Sequence, residues 1–346
     1  MSGRRVGVVG AGAWGTALAQ LLAVKGCEVG LWVYEPELAV ALEETRENHV
    51  YFPGHRIHPN VRPSAELARV VADALVVVSV SPSQAVRSVM QRAAEWIRPD
   101  ALVVSASKGI EDGTLLLMHQ VLGEVLAENL RNPIAALSGP SFADEVARGA
   151  PTAVSLACSA EDVARKLQAL FSGPTFRVYT LDDVVGVEVG GALKNVVALA
   201  AGIADGLGFG HNSRAALITR GLAEISRLGV ALGAKSLTFL GLSGLGDLVL
   251  TCTGDLSRNR SVGLRLGRGE KLKDILTSMK AVAEGVKTCD AAVGLARRHG
   301  VEMPIAEEVW KVLHEEKDPR RAVEDLMGRP SRREFWDLEA APEGDT

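Results

Sequence analysis

The chain has 346 residues, 47% hydrophobic and 23% charged, a length that suits about two domains and a balance typical of folded globular proteins. Lys plus Arg total 38 against 42 Asp plus Glu, a formal net charge of −4, which argues against a nucleic-acid binder. Four cysteines are too few for a disulfide scaffold. Cys27, Cys158, Cys252 and Cys289 show no C-x-x-C and no zinc-type Cys/His spacing, so reduced thiols and no metal are expected.

Arg4-Arg5 before an apolar run has the outline of an export signal. Gly7, Gly10, Gly12 and Gly15 break the apolar helix that a signal needs, and no cleavage region follows, so a cytoplasmic protein is expected. Short apolar, β-branched runs at residues 5–9, 28–33, 75–80, 102–105, 134–137, 153–157 and 176–179 alternate with helical patterns such as 15–25, 36–47 and 114–128. That alternation predicts an α/β fold, a doubly wound parallel sheet covered on both faces. Near Leu181 the strands stop. Helical segments follow at 185–205, 213–232, 271–279, 286–299 and 305–314, which predicts an all-helical second domain. The expected division is 1–184, 185–335 and a frayed tail, 336–346. The longest apolar region, 185–204, contains Glu188, Lys194 and Asn195, so no membrane insertion is expected.

Gly10-Ala11-Gly12-Ala13-Trp14-Gly15 is a G-x-G-x-x-G between a strand and a helix, with Glu35 twenty positions after Gly15 at the end of the second strand. In that context Gly10 makes the tight turn, Gly12 lets a pyrophosphate approach the backbone and Gly15 lets helix and strand pack closely. The first domain is therefore read as a dinucleotide-binding Rossmann domain. Glu35 suits the ribose hydroxyls of NAD, with a solvated loop carboxylate as the alternative. Tyr34 suits stacking on adenine. No Arg stands there for a 2′-phosphate, which leans toward NAD without excluding NADP.

Three later strand ends carry polar loops: residues 79–84, Ser107-Lys108-Gly109 and Ser138-Gly139-Pro140-Ser141-Phe142. In an open parallel sheet such loops line the ligand crevice. Gly190-Gly191-Ala192-Leu193-Lys194-Asn195 places two costly glycines and a lysine on one face of an apolar helix. Burial would lower the Lys194 pKa toward general acid–base use; a snorkelling lysine is the alternative. Ser243-Gly244-Leu245-Gly246-Asp247-Leu248 fixes one carboxylate, and Ser257-Arg258-Asn259-Arg260 groups donors that suit a phosphate monoester or, alternatively, a capped helix start.

Together these motifs resemble the soluble NAD(P)-dependent glycerol-3-phosphate dehydrogenases of bacteria, from Val6 to about Arg329. Asp205-Gly206 and Thr219-Arg220-Gly221-Leu222-Ala223-Glu224 belong to the same pattern. The resemblance implies a Rossmann domain followed by a helical domain of the 6-phosphogluconate dehydrogenase type. It implies interconversion of sn-glycerol 3-phosphate and dihydroxyacetone phosphate with NAD or NADP, feeding glycerophospholipid synthesis, in a homodimer. It also implies Lys194 as proton acceptor, assisted by Lys108 and Asp247. Substrate contacts carried over are Lys108, Gly139, Ser141, Lys194, Asn195, Asp247, Ser257, Arg258 and Asn259. Cofactor contacts are Gly10, Gly12, Ala13, Trp14, Gly15, Tyr34, Glu35, Lys108, Ala143, Arg258, Val282 and Glu284. The family often has Ser or Asn at position 13 and a basic residue or His at position 34. Ala13 therefore implies one pyrophosphate contact fewer, and Tyr34 leaves NAD versus NADP open. The rival readings are a β-hydroxyacid dehydrogenase, which would select a carboxylate substrate, and a non-catalytic dinucleotide sensor, which would not need proton-transfer groups.

Overall fold

A computed structural model describes residues 4–128, 130–279, 283–331 and 333–334. Among them lie the strands β1 (Arg5–Val9), β2 (Glu28–Trp32), β3 (Glu47–Asn48), β4 (Phe52–Arg56), β5 (Val61–Ser64), β6 (Val76–Ser79), β7 (Leu102–Ser105), β8 (Ala135–Ser138), β9 (Thr152–Ala157) and β10 (Phe176–Leu181). Eight form one sheet in the order β10-β9-β8-β7-β6-β1-β2-β5. β6 is wholly buried, as a strand covered on both faces must be. Leu18, Leu22 and Phe171 fill the core on one face, and Met90, Met118 and Leu122 fill it on the other.

The sheet departs from the expected all-parallel arrangement at one place. β8 and β9 pair antiparallel, with Ser138 opposite Ser155, so β9 and its parallel neighbour β10 run against the rest. The link between them holds only the five-residue helix Ala143–Ala147. A parallel return needs a crossover of about a dozen residues or more, usually a full helix across the sheet face. Here the chain stays at the carboxyl edge and re-enters the sheet from that end.

β5 was not anticipated from the sequence. It is an edge strand, where Pro63 can sit without depriving a ladder of a donor. The antiparallel pair β3–β4 was not anticipated either; Pro53 and Gly54 inside it read as loop.

Beyond Leu181 the fold is helical. Val184–Gly206 runs through its centre, buried from Gly186 to Ala204. It is long and apolar enough to cross a membrane, but 89% of its apolar window is buried inside the protein. Asp183 caps it, accepting from the Gly186 N–H at 2.8 Å, the Lys235 N–H at 2.8 Å and Thr238 Oγ1 at 2.6 Å. Arg258–Gly267, the helix whose capped start was the alternative reading of the Ser257-Arg258-Asn259-Arg260 motif, crosses it at backbone contact distance. A Cβ on Gly263 would lie 2.1 Å from the Leu199 carbonyl oxygen, and one on Gly202 would lie 2.1 Å from that of Arg260. Helices Asp247–Thr253 and Pro319–Met327 were unanticipated, whereas His211–Ala231, Leu272–Ser278, Glu284–His299 and Pro304–His314 lie close to their expected spans. The tail at 336–346 lies outside the described residues.

Candidate active site

The carboxyl ends of β1, β6, β7 and β8 open toward the helical half. Between β1 and β6 the strand order reverses, the place where open α/β sheets bind ligands. The glycine turn occupies it. Gly10 adopts φ +130°, a conformation that L side chains rarely take, and a Cβ on Gly15 would sit 1.9 Å from the Gly10 carbonyl oxygen. Gly12 has open space where a Cβ would be. It stands at the N-terminus of the Ala13–Val24 helix, whose first N–H groups have no intrahelical acceptor. Trp14 Nε1 is buried without a partner among the described residues. Tyr34 is 71% exposed at the end of β2, edge-on to Trp32 with ring centroids 6.1 Å apart. Glu35 begins the Pro36–Thr45 helix and accepts from the Tyr51 hydroxyl at 2.6 Å.

Across the crevice, three charged groups converge. The Asp247 carboxylate, 2% exposed, binds Lys194 Nζ through Oδ1 at 2.9 Å and Lys108 Nζ through Oδ2 at 2.7 Å. Lys194 Nζ also donates to Thr251 Oγ1 at 2.8 Å, and that hydroxyl donates onward to the Asp247 carbonyl at 2.6 Å. Lys108 Nζ donates to the Gly139 carbonyl at 3.0 Å. Each ammonium has three N–H donors and spends two here, so each retains one. Two ammoniums around one carboxylate leave a net positive charge, suited to an oxygen that becomes anionic. Burial pushes the Lys194 pKa down to about 8, with Asp247 opposing the shift and Lys108 adding to it.

The local folding explains this convergence. Lys108 follows β7 and Gly139 follows β8, so the sheet delivers both. Asp247 starts its helix directly after a π-helical turn, Leu242–Gly246. The two glycines before Lys194 serve protein contacts. A Cβ on Gly190 would be 2.6 Å from the Ser243 carbonyl oxygen, and one on Gly191 would be 2.5 Å from Ser138 Oγ. They let the lysine helix sit directly on the π-helical turn and on the end of β8.

A second group lies beside Lys194. Asn195 Oδ1 accepts from Asn259 Nδ2, and Asn259 Oδ1 accepts from the Gly285 N–H, both at 2.9 Å. Ser257 caps the Arg258–Gly267 helix, accepting from the Arg260 N–H at 3.2 Å. Arg258, in the first turn, is exposed and makes no hydrogen bond or ion pair among the described residues. Arg260 faces elsewhere, paired with Asp205 and Asp255 at 2.9 Å each, and Arg214 shares the same Asp205 carboxylate. Of the two arginines in that motif, only Arg258 is left for a ligand. Glu284 Oε1 accepts from the Ser83 N–H at 3.3 Å in the loop after β6, and burial raises its carboxyl pKa. Ser141 Oγ donates to the Gly139 carbonyl at 2.9 Å, and Ala143 begins the next short helix. Val282 lies outside the described residues. The sequence reading flagged the 79–84 loop and Thr251-Cys252-Thr253 only as polar neighbours, without the contacts of Ser83 and Thr251 seen here, and it missed Asn48 and Tyr51 altogether. Thr251 sits at i+4 from Asp247, a spacing that could have linked the two.

Residues 5–164 match the family pattern described as NAD-dependent glycerol-3-phosphate dehydrogenase N-terminus, and residues 183–324 match that of its C-terminus. The glycerol-3-phosphate dehydrogenase [NAD(P)+] of Geobacter sulfurreducens is 55% identical over 96% of this chain and 99% of its own length. That of Syntrophobacter fumaroxidans is 54% identical over 96% and 98%. The crystal structure of the Coxiella burnetii glycerol-3-phosphate dehydrogenase superposes with a TM-score of 0.90 at 40% identity, covering 94% of this chain and 99% of that one. The chain belongs to the NAD-dependent glycerol-3-phosphate dehydrogenase family.

Proposed function

We propose that this chain interconverts sn-glycerol 3-phosphate and dihydroxyacetone phosphate with NAD(H) or NADP(H), supplying glycerophospholipid synthesis as a cytoplasmic homodimer. The observation that carries the reading is the Lys194–Asp247–Lys108 cluster set across the crevice from the glycine turn, beside an Arg258 guanidinium that has no partner among the described residues. On this reading residues 1–184 bind the dinucleotide and 185–335 complete the substrate site.

The residues fit a dinucleotide. The open space at Gly12 admits a pyrophosphate to the first turn of the Ala13–Val24 helix, and Trp14 Nε1 offers a buried donor. When bound, the reduced nicotinamide supplies the hydride. The chain's own residues do the rest. Arg258, Asn259 and Ser257 hold the substrate phosphate away from the reacting carbon, and that remote binding energy orients the ketone. The remaining N–H of Lys194 faces the ketone oxygen and transfers its proton as the alkoxide forms. Lys108 holds that oxygen through its spare N–H, and Asp247 keeps both amines in place. In the reverse direction neutral Lys194 accepts the hydroxyl proton.

The test is oxidation of NADH and of NADPH with dihydroxyacetone phosphate, beside a panel of small β-hydroxyacids and their ketoacids. Turnover of the phosphate substrate with either cofactor, and none with the acids, is expected. Preference for a carboxylate substrate would move the chain to a different reaction, and cofactor binding without any turnover would make it a sensor.

A further inference from the structure

The adenosine end of the crevice carries a contact that this reaction does not use. Glu35 stands where β2 gives way to the next helix, and its Oε1 accepts a hydrogen bond from the Tyr51 hydroxyl at 2.6 Å. That acceptor raises the phenol pKa above its usual value. Tyr51 comes from the turn of the β3–β4 hairpin, and the turn is fastened down. The Tyr51 N–H donates to Asn48 Oδ1 at 3.0 Å. Asn48, fully buried, donates from Nδ2 to the Ala11 carbonyl at 2.8 Å and to Thr16 Oγ1 at 3.0 Å, both in the glycine motif and its helix. The hairpin thus grips the phosphate-binding turn with one residue and the Glu35 carboxylate with another. The nearby guanidiniums face other groups. Arg46 donates to Glu43 and to the carbonyls of His58 and Val61, and Arg62 lies beside Glu43.

A carboxylate at the end of the second strand accepts from the adenosine ribose hydroxyls and repels a phosphate placed on the 2′ oxygen. A carboxylate on a flexible stem could swing away from that phosphate; one anchored through Oε1 cannot do so without giving up a charge-assisted hydrogen bond. The geometry points to Tyr51 as a positioning residue for cofactor choice: it anchors Glu35 Oε1, leaves Oε2 to accept a ribose hydroxyl, and so makes the chain select NAD(H) over NADP(H). This rests on the dehydrogenase reading above and names the dinucleotide it uses.

The experiment is direct binding to the full-length protein without substrate, by calorimetry, using NADH, NADPH, ADP and adenosine 2′,5′-bisphosphate as probes. The unaltered protein is expected to bind NADH about tenfold or more tightly than NADPH, and to favour ADP over the bisphosphate in the same sense. Glu35→Gln brings the two dinucleotides toward equal affinity, chiefly by tightening NADPH. Tyr51→Phe narrows the ratio severalfold, chiefly by weakening NADH. By ultraviolet titration, Tyr51→Phe removes a phenol that ionises above the usual tyrosine range, and Glu35→Gln brings that phenol down. A Tyr51 that only supports the fold would weaken both dinucleotides equally and leave their ratio unchanged, which overturns the proposal. Equal affinities in the unaltered protein, or a preference for NADPH, overturn it too. Binding of neither dinucleotide overturns the dehydrogenase reading itself and this inference with it.

Discussion

Lys194 is held between opposed influences: burial disfavours its charge, Lys108 disfavours it further, and Asp247 favours it. The balance, a pKa near 8, sets the direction of the pH dependence. Reduction of dihydroxyacetone phosphate needs the ammonium, so its turnover should fall as pH rises through about 8. Oxidation of glycerol 3-phosphate needs the amine, so its turnover should rise over the same interval; initial rates in both directions check this. Lys194→Met should lower kcat by about 10²–10⁴ while the protein still binds dinucleotide, measured by titration beside steady-state rates. Arg258 is the second residue whose role is exposed to test. Arg258→Ala should raise KM for dihydroxyacetone phosphate by roughly ten- to a hundredfold, with partial rescue by added guanidinium. An unchanged KM removes it from the phosphate site. Lys194 stood out in the sequence, because a lysine after two glycines in an apolar helix is an expensive arrangement; Arg258 did not, since its motif reads locally as a capped helix start and its role came from the family resemblance. Thr251 was legible only as a neighbour, at i+4 from Asp247; that its hydroxyl spans from Lys194 to the Asp247 carbonyl takes the folded geometry to see. So does the pairing of Arg260 with Asp205, 55 positions away.

The element that carries Arg258 and Asn259 was the hardest to read. Arg258–Gly267 has three basic residues and Gly263 and Gly267, a composition poor in both apolar stripe and helix propensity. Its stability comes from contact with Val184–Gly206 at a spacing only glycine allows. Gly267 would put a Cβ 2.3 Å from the Ile203 carbonyl oxygen, just as Gly263 does against Leu199. Strands such as β1, β6 and β7 were legible because each buries a near-continuous run rich in valine, whereas β5, with Arg62 and Pro63 at the sheet edge, has no such run. The reversal of β9 was not legible, since strand direction depends on where the linking segment lies. Gly263→Ala forces a methyl into backbone and should destabilise the protein by about 1–3 kcal/mol, read as a lower denaturant midpoint. Because the same helix sets the Asn259–Asn195 contact, KM for dihydroxyacetone phosphate should rise as well. A lost midpoint with an unchanged KM would show that the helix position does not govern the substrate site.

On the scale of the whole molecule, the reaction requires that an amine from the helical half keep its register against strand ends of the sheet half. Lys108–Asp247 and the Gly191–Ser138 contact fix that register inside the crevice. A third tie lies outside it. Glu188, 5% exposed on the Lys194 helix, accepts from the His119 N–H at 3.0 Å and from His119 Nδ1 at 2.7 Å. His119 lies in the first turn of Met118–Leu126, a helix on the sheet, so the carboxylate meets the positive end of that helix's dipole. Six residues separate Glu188 from Lys194, about 9 Å along a helix. A slip at one end of so rigid a rod is passed to the other. Glu188→Ala leaves a part-buried N–H without its acceptor and should cost about 1–3 kcal/mol of stability. If the tie also sets the lysine's register, kcat should fall severalfold while KM for NADH stays nearly unchanged, and Glu188→Gln, which keeps an acceptor, should recover most of it. Thermal unfolding measured beside steady-state kinetics separates the two effects. Stability lost with kcat intact would show that the crevice contacts alone hold the catalytic register.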